Sequence, residues 1–433
     1  MPARRLLVGG AAAVTTAAAL LLGGIFHGGG GTARPAAGLS LPVREGASVD
    51  TALLPRLQQQ VRANPADAHG LALLGLAYQQ AARDSGDPSY YPRAEAAFRR
   101  ALRLGQDDLV ATSGLGALAL SRHHFRDALV LGRRAVVLSP TTARGYGIVG
   151  DALVELGRYE EAFAAFDHMV SLKPSLSSYA RVSYARELLG DVRGAAEAMQ
   201  LAVDAATGQR EGQAWAYTQL GKLYATHGRL RAAEHQYRRA LGVRAAYVYA
   251  LDGLAQVSAA RGRLREAIGL ERRTADAMPL PQFVATLGDL LSASGDERGA
   301  ARQYALIGAI DRLLRANGVR VDLESALFDI DHGIQLRRAL ARARAARADR
   351  PSIDGDDVLA WALARNGRCG EALRFSKRAL RLDTVDAGKF FHRGMIERCL
   401  GNRAESKRWF RRALAVNPHF SVIWAPVARR YVA

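Results

Sequence analysis

The stretch YEEAFAAFDHMVSLKP, Tyr159–Pro174, decides how this chain folds. Ala162, Phe166 and Met169 follow one another at spacings of four and three residues, which places them on one face of an α-helix. The proline at its end cannot continue a helix. A short helix with a single apolar stripe needs a partner that buries the stripe, so the rest of the chain must supply one.

The partner is another copy of the same pattern. The stretch FRDALVLGRRAVVLSP, Phe125–Pro140, aligns with Tyr159–Pro174 without gaps at a spacing of 34 residues, and Gly116 and Gly150 upstream keep that spacing. Further copies begin at Gly228, Gly262, Gly367 and Gly401. The chain is therefore predicted to be a repeat array, in which no unit is stable alone and stacking buries a continuous core.

These copies resemble the tetratricopeptide repeat, a 34-residue helix–turn–helix unit with the pattern W-x₂-L-G-x₂-Y followed by A, F, A and P. The best copy contains Tyr217, Leu220, Gly221, Tyr224, Ala233, Tyr237 and Ala240. The resemblance implies an all-α fold, a right-handed α-solenoid of about ten stacked repeats after an N-terminal hydrophobic segment. It also implies a non-enzymatic interaction scaffold, whose concave groove is lined by the first helix of each unit and holds a partner protein or peptide.

The chain divides into four predicted segments. Residues 1–38 are expected to be a signal peptide or signal-anchor with a glycine-rich linker, and residues 39–66 a linker and an N-terminal capping helix. Residues 67–420 are expected to form the repeat superhelix. Its part at 315–355 keeps helical spacing but loses the repeat glycine and the large aromatic residue. Residues 421–433 are expected to cap the other end.

The first residues have the composition of an export signal. A short basic region, Met1–Arg5, precedes Leu6–Phe26, which is uncharged and about long enough to span a bilayer. With the basic residues held inside, the rest of the chain is expected in the cell envelope, on the extracytoplasmic side of the membrane, or secreted. Attachment to the membrane is expected only if this segment is not cleaved.

The chain is strongly basic, with a formal net charge of +19 at pH 7. Such a charge attracts polyanions, so a solenoid that binds RNA or another polyanion is one alternative function. The arginines are spread along the chain rather than clustered, which favours a solvated basic surface and argues against nucleic acid as the partner. A second alternative is an accessory subunit of an envelope enzyme or transporter.

Positions on the first helices define the predicted groove. Trp215 and Tyr249 are large amphipathic side chains of the kind that dominates interface energies, although partial burial between units is the simpler role for both. Some members of the family grip a C-terminal carboxylate with Lys and Asn side chains. The corresponding positions here are Ala72 and Leu76, so that clamp is not expected. The predicted groove residues are Arg144, Gly147, Asp151, Trp215, Thr218, Lys222, Tyr249, Asp252, Gln256, Gln282 and Asp289.

No catalytic, cofactor or metal site is predicted, because the sequence has no nucleophile elbow, P-loop or zinc-protease motif. The stretch DIDH is interpreted as an exposed helix face, since Asp329 and Asp331 point apart on a helix. His123 and His124 fall at a turn between helices and have no partner residues nearby in the sequence. Neither stretch is expected to bind a metal ion.

The two cysteines fall at one edge of the predicted stack. Cys369 would begin the second helix of one unit, and Cys399 would end the first helix of the next. A disulfide is chemically permitted in an exported protein. A Cys369–Cys399 disulfide and two separate thiols are both open on this evidence.

Overall fold

Twenty-two α-helices and no strand make up residues 53–433, the part of the chain that this computed structural model describes. The predicted all-α solenoid of stacked helix pairs is confirmed. The predicted export segment, Leu6–Phe26, lies outside the described residues. After the single helix α1 (Leu53–Ala63), ten helix pairs follow: α2 (Ala68–Ser85) and α3 (Tyr90–Leu104), α4 (Leu109–Ser121) and α5 (Phe125–Leu138), α6 (Ala143–Glu155) and α7 (Tyr159–Leu172), α8 (Leu176–Leu188) and α9 (Val192–Ala205), α10 (Arg210–Thr226) and α11 (Leu230–Val243), α12 (Val248–Ala260) and α13 (Leu264–Ala277), α14 (Pro281–Ala293) and α15 (Glu297–Ala316), α16 (Asp322–Asp331) and α17 (Leu336–Asp349), α18 (Ile353–Arg365) and α19 (Cys369–Ala379), and α20 (Ala387–Cys399) and α21 (Arg403–Val416); α22 (Trp424–Val432) ends the array.

The apolar stripe of α7 is buried as its spacing predicts. Ala162 is 0% exposed, Phe166 1% and Met169 4%. Burying a large apolar side chain stabilises the fold by about 1.5–3 kcal/mol, so each pair depends on its neighbours for this contribution.

Small residues on first helices receive aromatic rings from second helices. Tyr237 of α11 lies between Gly221 of its own pair and Gly253 of the next. A Cβ atom at Gly221 would lie 2.7 Å from the Tyr237 ring, and one at Gly253 would lie 2.3 Å from it. The ring therefore fills the gap between two pairs, as the sequence predicts, and only glycine leaves room for it.

The solenoid coils back on itself. We call the connection within a pair a hairpin turn and the connection between pairs a linker loop. Hydrogen bonds join hairpin turns of the first half to linker loops 192–197 residues further along the chain. The Ile353 backbone N–H donates to the Tyr159 hydroxyl at 2.7 Å, and the Asn417 side-chain amide donates to the Ala225 carbonyl at 3.0 Å. Pairs α2–α11 thus form a first superhelical turn, and α12–α22 form a second turn that packs on its edge.

The centre of this interturn contact is a buried arginine. Arg350 is 5% exposed; its Nη1 donates to Glu324 at 2.7 Å, and its Nε donates to Glu155 of the first turn. Its guanidinium also lies 5.4 Å from the centre of the Phe125 ring. The region 315–355, although poor in repeat signature, forms a complete pair, α16 and α17, and this pair carries the contact.

The histidines at the α4–α5 hairpin turn take part in the same contact. The His123 ring bonds the Arg320 carbonyl through Nδ1 at 2.7 Å, and the His124 ring bonds the Gly318 carbonyl through Nε2 at 2.9 Å. These two carbonyl partners lie one superhelical turn away, and His124 also lies 3.4 Å from Asp127 on its own turn.

Candidate functional site

The two turns of the superhelix surround an interior cavity of about 660 Å³. First helices of both turns line it, with Tyr184 on α8, Asp252 on α12 and Asp354 on α18 among the contributing side chains. A volume of this order lies within the range of natural ligand pockets, about 300–1,000 Å³. We take this cavity as the candidate functional site.

Most of the predicted groove residues line this cavity. Tyr249 stands at its wall, where its ring packs edge-on against Phe283 at 5.6 Å between centroids. The predicted residues that line the cavity are Thr218, Lys222, Tyr249, Asp252, Gln256, Gln282 and Asp289.

Four predicted groove positions are not part of the cavity lining. Trp215 is 7% exposed and packs in the hydrophobic core formed by α8–α12, so the structure buries it between units and its binding of a partner stays a prediction. Asp151 is held by Arg181 of the next first helix, whose Nε lies 2.8 Å from one carboxylate oxygen. Gly147 is buried and Arg144 half-buried, both outside the lining.

The cavity is acidic although the protein is strongly basic. Its lining contains twice as many carboxylates as lysines and arginines. The net charge of +19 therefore lies on the other surfaces of the molecule. The carboxylates are Glu187, Asp252, Asp289, Asp311, Glu324, Asp331, Asp354 and Asp386, and the cations are Arg83, Lys222, Lys389 and Arg429.

Four titratable groups from α8, α10, α12 and α13 meet at one wall, which we call the carboxylate wall: Glu187, Lys222, Asp252 and Glu271. Burial raises the pKa of Glu187 to about 7 and that of Asp252 to about 6, and it lowers the pKa of Lys222 to about 8. Glu187 and Lys222 attract each other, but among the described residues they form no direct ion pair. The amide of Gln256 donates to both oxygens of Asp252, at 2.9 and 3.0 Å.

Glu271 lies directly behind Asp252 and is 0% exposed. Burial, together with the neighbouring Asp252 charge, raises the pKa of Glu271 well above its ordinary value. Apart from Asp252, neither of its carboxyl oxygens has a hydrogen-bond partner in the described part of the chain. Both effects favour the neutral, protonated form of Glu271.

At the opposite side, one lysine is shared by two carboxylates. The Lys389 ammonium lies 2.8 Å from Asp354 and 2.9 Å from Asp386. Its side chain is 8% exposed. One ammonium thus faces two carboxylates, which leaves this group with one formal negative charge in excess.

The DIDH stretch is not the exposed face expected from its sequence. Asp331 is 1% exposed and accepts hydrogen bonds from the indole nitrogens of Trp361, at 2.8 Å, and Trp424, at 3.2 Å. His332 is bonded through Nε2 to Asp289 at 2.9 Å. The helix spacing that separates Asp329 from Asp331 was interpreted correctly, but the face of Asp331 turns inward because α18 and α22 cover it.

The two cysteines lie side by side at the edge where the sequence places them. Their Cα atoms are 5.9 Å apart and their sulfur atoms are joined in the structure. This Cα separation is within the range that a disulfide spans. The disulfide stays a prediction, and mass spectrometry of non-reduced peptide digests decides between it and two free thiols.

Within residues 53–433, no group of three or more His, Cys, Asp or Glu side chains is placed to hold a metal ion. None of the helices in this part of the chain combines the length and apolar character needed to cross a bilayer.

Sequence reasoning missed the contribution of α8 to the cavity. Glu187 and Tyr184 lie on this helix, which lacks the repeat glycine and so does not show the repeat pattern. The length and position of this segment could have revealed its role. A helical segment between two recognisable units must supply a first helix to the stack. Lys389, Asp354 and Asp386 were missed because their grouping depends on the packing of α18 against α20.

Comparison with known proteins agrees with this architecture. The tetratricopeptide repeat family model matches the chain at residues 143–176 and 216–247. These segments contain α6–α7 and most of α10–α11. No curated protein matches the chain.

Solved structures of low identity are similar to parts of this chain. The human IFIT1 dimer with PPP-AAAA is 16% identical, with 77% of this chain and 78% of that chain covered and a TM-score of 0.48. PilF of Pseudomonas aeruginosa is 13% identical, with 47% and 91% covered and a TM-score of 0.38. YrrB, described as a TPR protein with an unusual peptide-binding site, is 19% identical, with 46% and 99% covered and a TM-score of 0.30. With its two matched segments inside a continuous stack of helix pairs, the chain is an α-solenoid that contains tetratricopeptide repeats.

Proposed function

We propose that this protein is a non-enzymatic scaffold that holds an extended segment of a partner protein inside its superhelix. The observation that carries the proposal is the interior cavity of about 660 Å³, lined by first helices of both turns. Its lining combines aromatic rings, such as Tyr249, with polar groups that can bond a peptide backbone, such as Gln256 and Gln282. Peptide or protein binding is also the general role of tetratricopeptide repeats.

The test fills the cavity without disturbing the outer surface. Ala285 lines the cavity and is half-buried, so Ala285→Trp should occupy the space of the partner segment. Val137 is 78% exposed on α5, and Val137→Trp is the matched control. A partner recovered by affinity purification with the wild type and Val137→Trp, but not with Ala285→Trp, supports the proposal. Equal recovery with all three proteins contradicts it.

Export to the cell envelope is a further part of the proposal. It is supported by the short basic region Met1–Arg5, which contains Arg4 and Arg5, and by the uncharged segment Leu6–Phe26 that follows it. A fusion of residues 1–45 to a reporter that is active only outside the cytoplasm should be active. An inactive but expressed fusion would reject export.

A further inference from the structure

The charge of the cavity wall indicates the chemistry of the segment that it holds. We propose that the interior cavity binds a cationic segment of the partner, with a Lys or Arg side chain at the carboxylate wall between Glu187 and Asp252. This inference rests on the proposed function, because it names the class of segment that the scaffold takes.

The first argument is that the carboxylates that line the cavity outnumber the cations that line it. Lys389 is shared by Asp354 and Asp386, which leaves this group with one formal negative charge in excess. In a partly desolvated cavity such a charge is costly, and a cationic ligand that enters removes this cost.

The second argument is that, among the described residues, no cation forms a direct ion pair with an acidic group of the carboxylate wall. Asp252 accepts from the neutral amide of Gln256 and lies against the carboxyl of Glu271, and Lys222 is near enough to attract it without a direct contact. Glu271 is fully buried behind Asp252 and does not line the cavity. Ammonium and guanidinium groups are donors without acceptor atoms, so they match a wall that offers acceptors in excess.

The third argument is that the rest of the molecule makes this selectivity useful. With a net charge of +19 concentrated away from the cavity, the outer surface repels cationic peptides and attracts anionic ones. A cationic segment therefore has one favourable location on the protein, which is the interior. A polyanion such as RNA would be attracted by the outer surface and repelled by the cavity.

The experiment compares three labelled peptides with the same Gly-Ser-Tyr framework, carrying lysine, glutamine or glutamate at the same positions. Fluorescence anisotropy measures their binding to the full chain at low and high salt. The lysine peptide should bind more tightly than the glutamine peptide, and salt should weaken its binding. The glutamate peptide should bind only the outer surface, so Ala285→Trp should abolish lysine-peptide binding and leave glutamate-peptide binding unchanged.

Variants of the wall locate the interaction. Glu187→Gln combined with Asp252→Asn should weaken the lysine peptide at least about tenfold, a change of about 1.4 kcal/mol in binding free energy. Lys222→Met removes a competing cation and should tighten binding. Asp167→Asn, an exposed position on α7, is the matched control and should change nothing. The substitutions at the carboxylate wall remove charges rather than apolar contacts. Circular dichroism tests whether each variant is folded.

Three outcomes overturn the inference. The glutamine peptide binds as tightly as the lysine peptide; the wall variants leave lysine-peptide affinity unchanged; or none of the peptides enters the cavity. None of these outcomes decides the proposed scaffold function, which is tested independently by whether Ala285→Trp blocks recovery of the natural partner.

Discussion

The hairpin turns of the first and second superhelical turns have the same backbone but different surroundings. Gly157 in the first turn has φ +70°, and Gly262 in the second has φ +77°. A Cβ at Gly157 would lie 2.4 Å from the Pro351 carbonyl oxygen, whereas no described atom lies within 4 Å of a Cβ at Gly262. The repeat explains why both residues are glycine. Only the superhelix explains why one of them touches another part of the chain.

This difference separates two levels of stabilisation. Contacts within and between neighbouring pairs recur along the whole array, as in other solenoids. Contacts between turns occur only where a second layer covers the first, and they are rich in polar groups. Substitutions at the contact between turns should therefore cost more stability than matched substitutions elsewhere.

Arg350→Met should destabilise the protein by about 3–5 kcal/mol, because Glu155, which is 3% exposed, would lose its charged partner inside the interturn contact. Urea denaturation measures the loss. Arg126→Met is the control, since its side chain is 63% exposed and its ion pair with Asp349 should contribute about 0–1 kcal/mol. Adding Glu155→Leu to Arg350→Met should restore much of the stability. If both arginine variants have similar stability, the interturn contact is not a major contributor.

Gly157→Ala should cost about 3 kcal/mol and Gly262→Ala about 1 kcal/mol. Both substitutions place a Cβ in the left-handed backbone region, but only the first also forces it against Pro351. The difference between their thermal unfolding midpoints isolates the contribution of the second layer. Equal midpoints would show that the two turns separate at this edge at no cost.

A pH series should isolate the contribution of Asp252 at the carboxylate wall. Burial raises the pKa of Asp252 from 3.8 to about 6, so the folded chain holds this proton more tightly than the unfolded chain. The resulting stabilisation is full below pH 3.8 and is lost as pH rises through about 6. Asp252→Asn does not titrate, so it should gain about 2 kcal/mol relative to the wild type between pH 4 and pH 8.

Urea titrations at several pH values measure this gain. Asp167→Asn on the exposed face of α7 should show no such gain. A constant difference between Asp252→Asn and the wild type across the range would mean that Asp252 has an ordinary pKa.

Thr384→Val should cost about 1 kcal/mol, the net value of one hydrogen bond. The Thr384 hydroxyl is buried and donates to the Leu188 carbonyl across the two turns. The Thr226 hydroxyl bonds only nearby residues, at 3.0 Å to the Leu223 carbonyl and at 3.2 Å to the Lys222 carbonyl and the His227 ring, so Thr226→Val serves as the control for loss of local bonds. Amide hydrogen exchange at the α8–α9 hairpin turn should increase in Thr384→Val alone.

The sequence predicts the fold because its determining contacts are local. Gly221 and Tyr237 lie within one repeat, and Gly253 lies on the first helix of the next repeat. Their packing can therefore be inferred from spacing alone. The pairing of His123 with Arg320 cannot, because it depends on small rotations accumulated over five helix pairs. The cavity follows from the same accumulation, which explains why its lining was predicted only where a clear repeat marks the first helix.

Equivalent positions in the repeat do not guarantee equivalent environments. Trp215 and Tyr249 are 34 residues apart, and both were predicted to face the groove. Tyr249 lines the cavity, whereas Trp215 is enclosed by the side chains of α8–α12. The composition of neighbouring helices decides such cases, and the repeat pattern does not record it.

The contact between turns also constrains how this array can evolve. In an open solenoid, a duplicated or deleted unit lengthens or shortens the rod and leaves the other units as they were. Here, five hairpin turns contact five linker loops about 195 residues later in the chain, as Glu155 contacts Arg350. Loss of one unit between a hairpin turn and its linker loop would shift every such contact by one unit and place side chains that do not match beside each other. The contact between turns thus fixes how many units lie between two contacting positions.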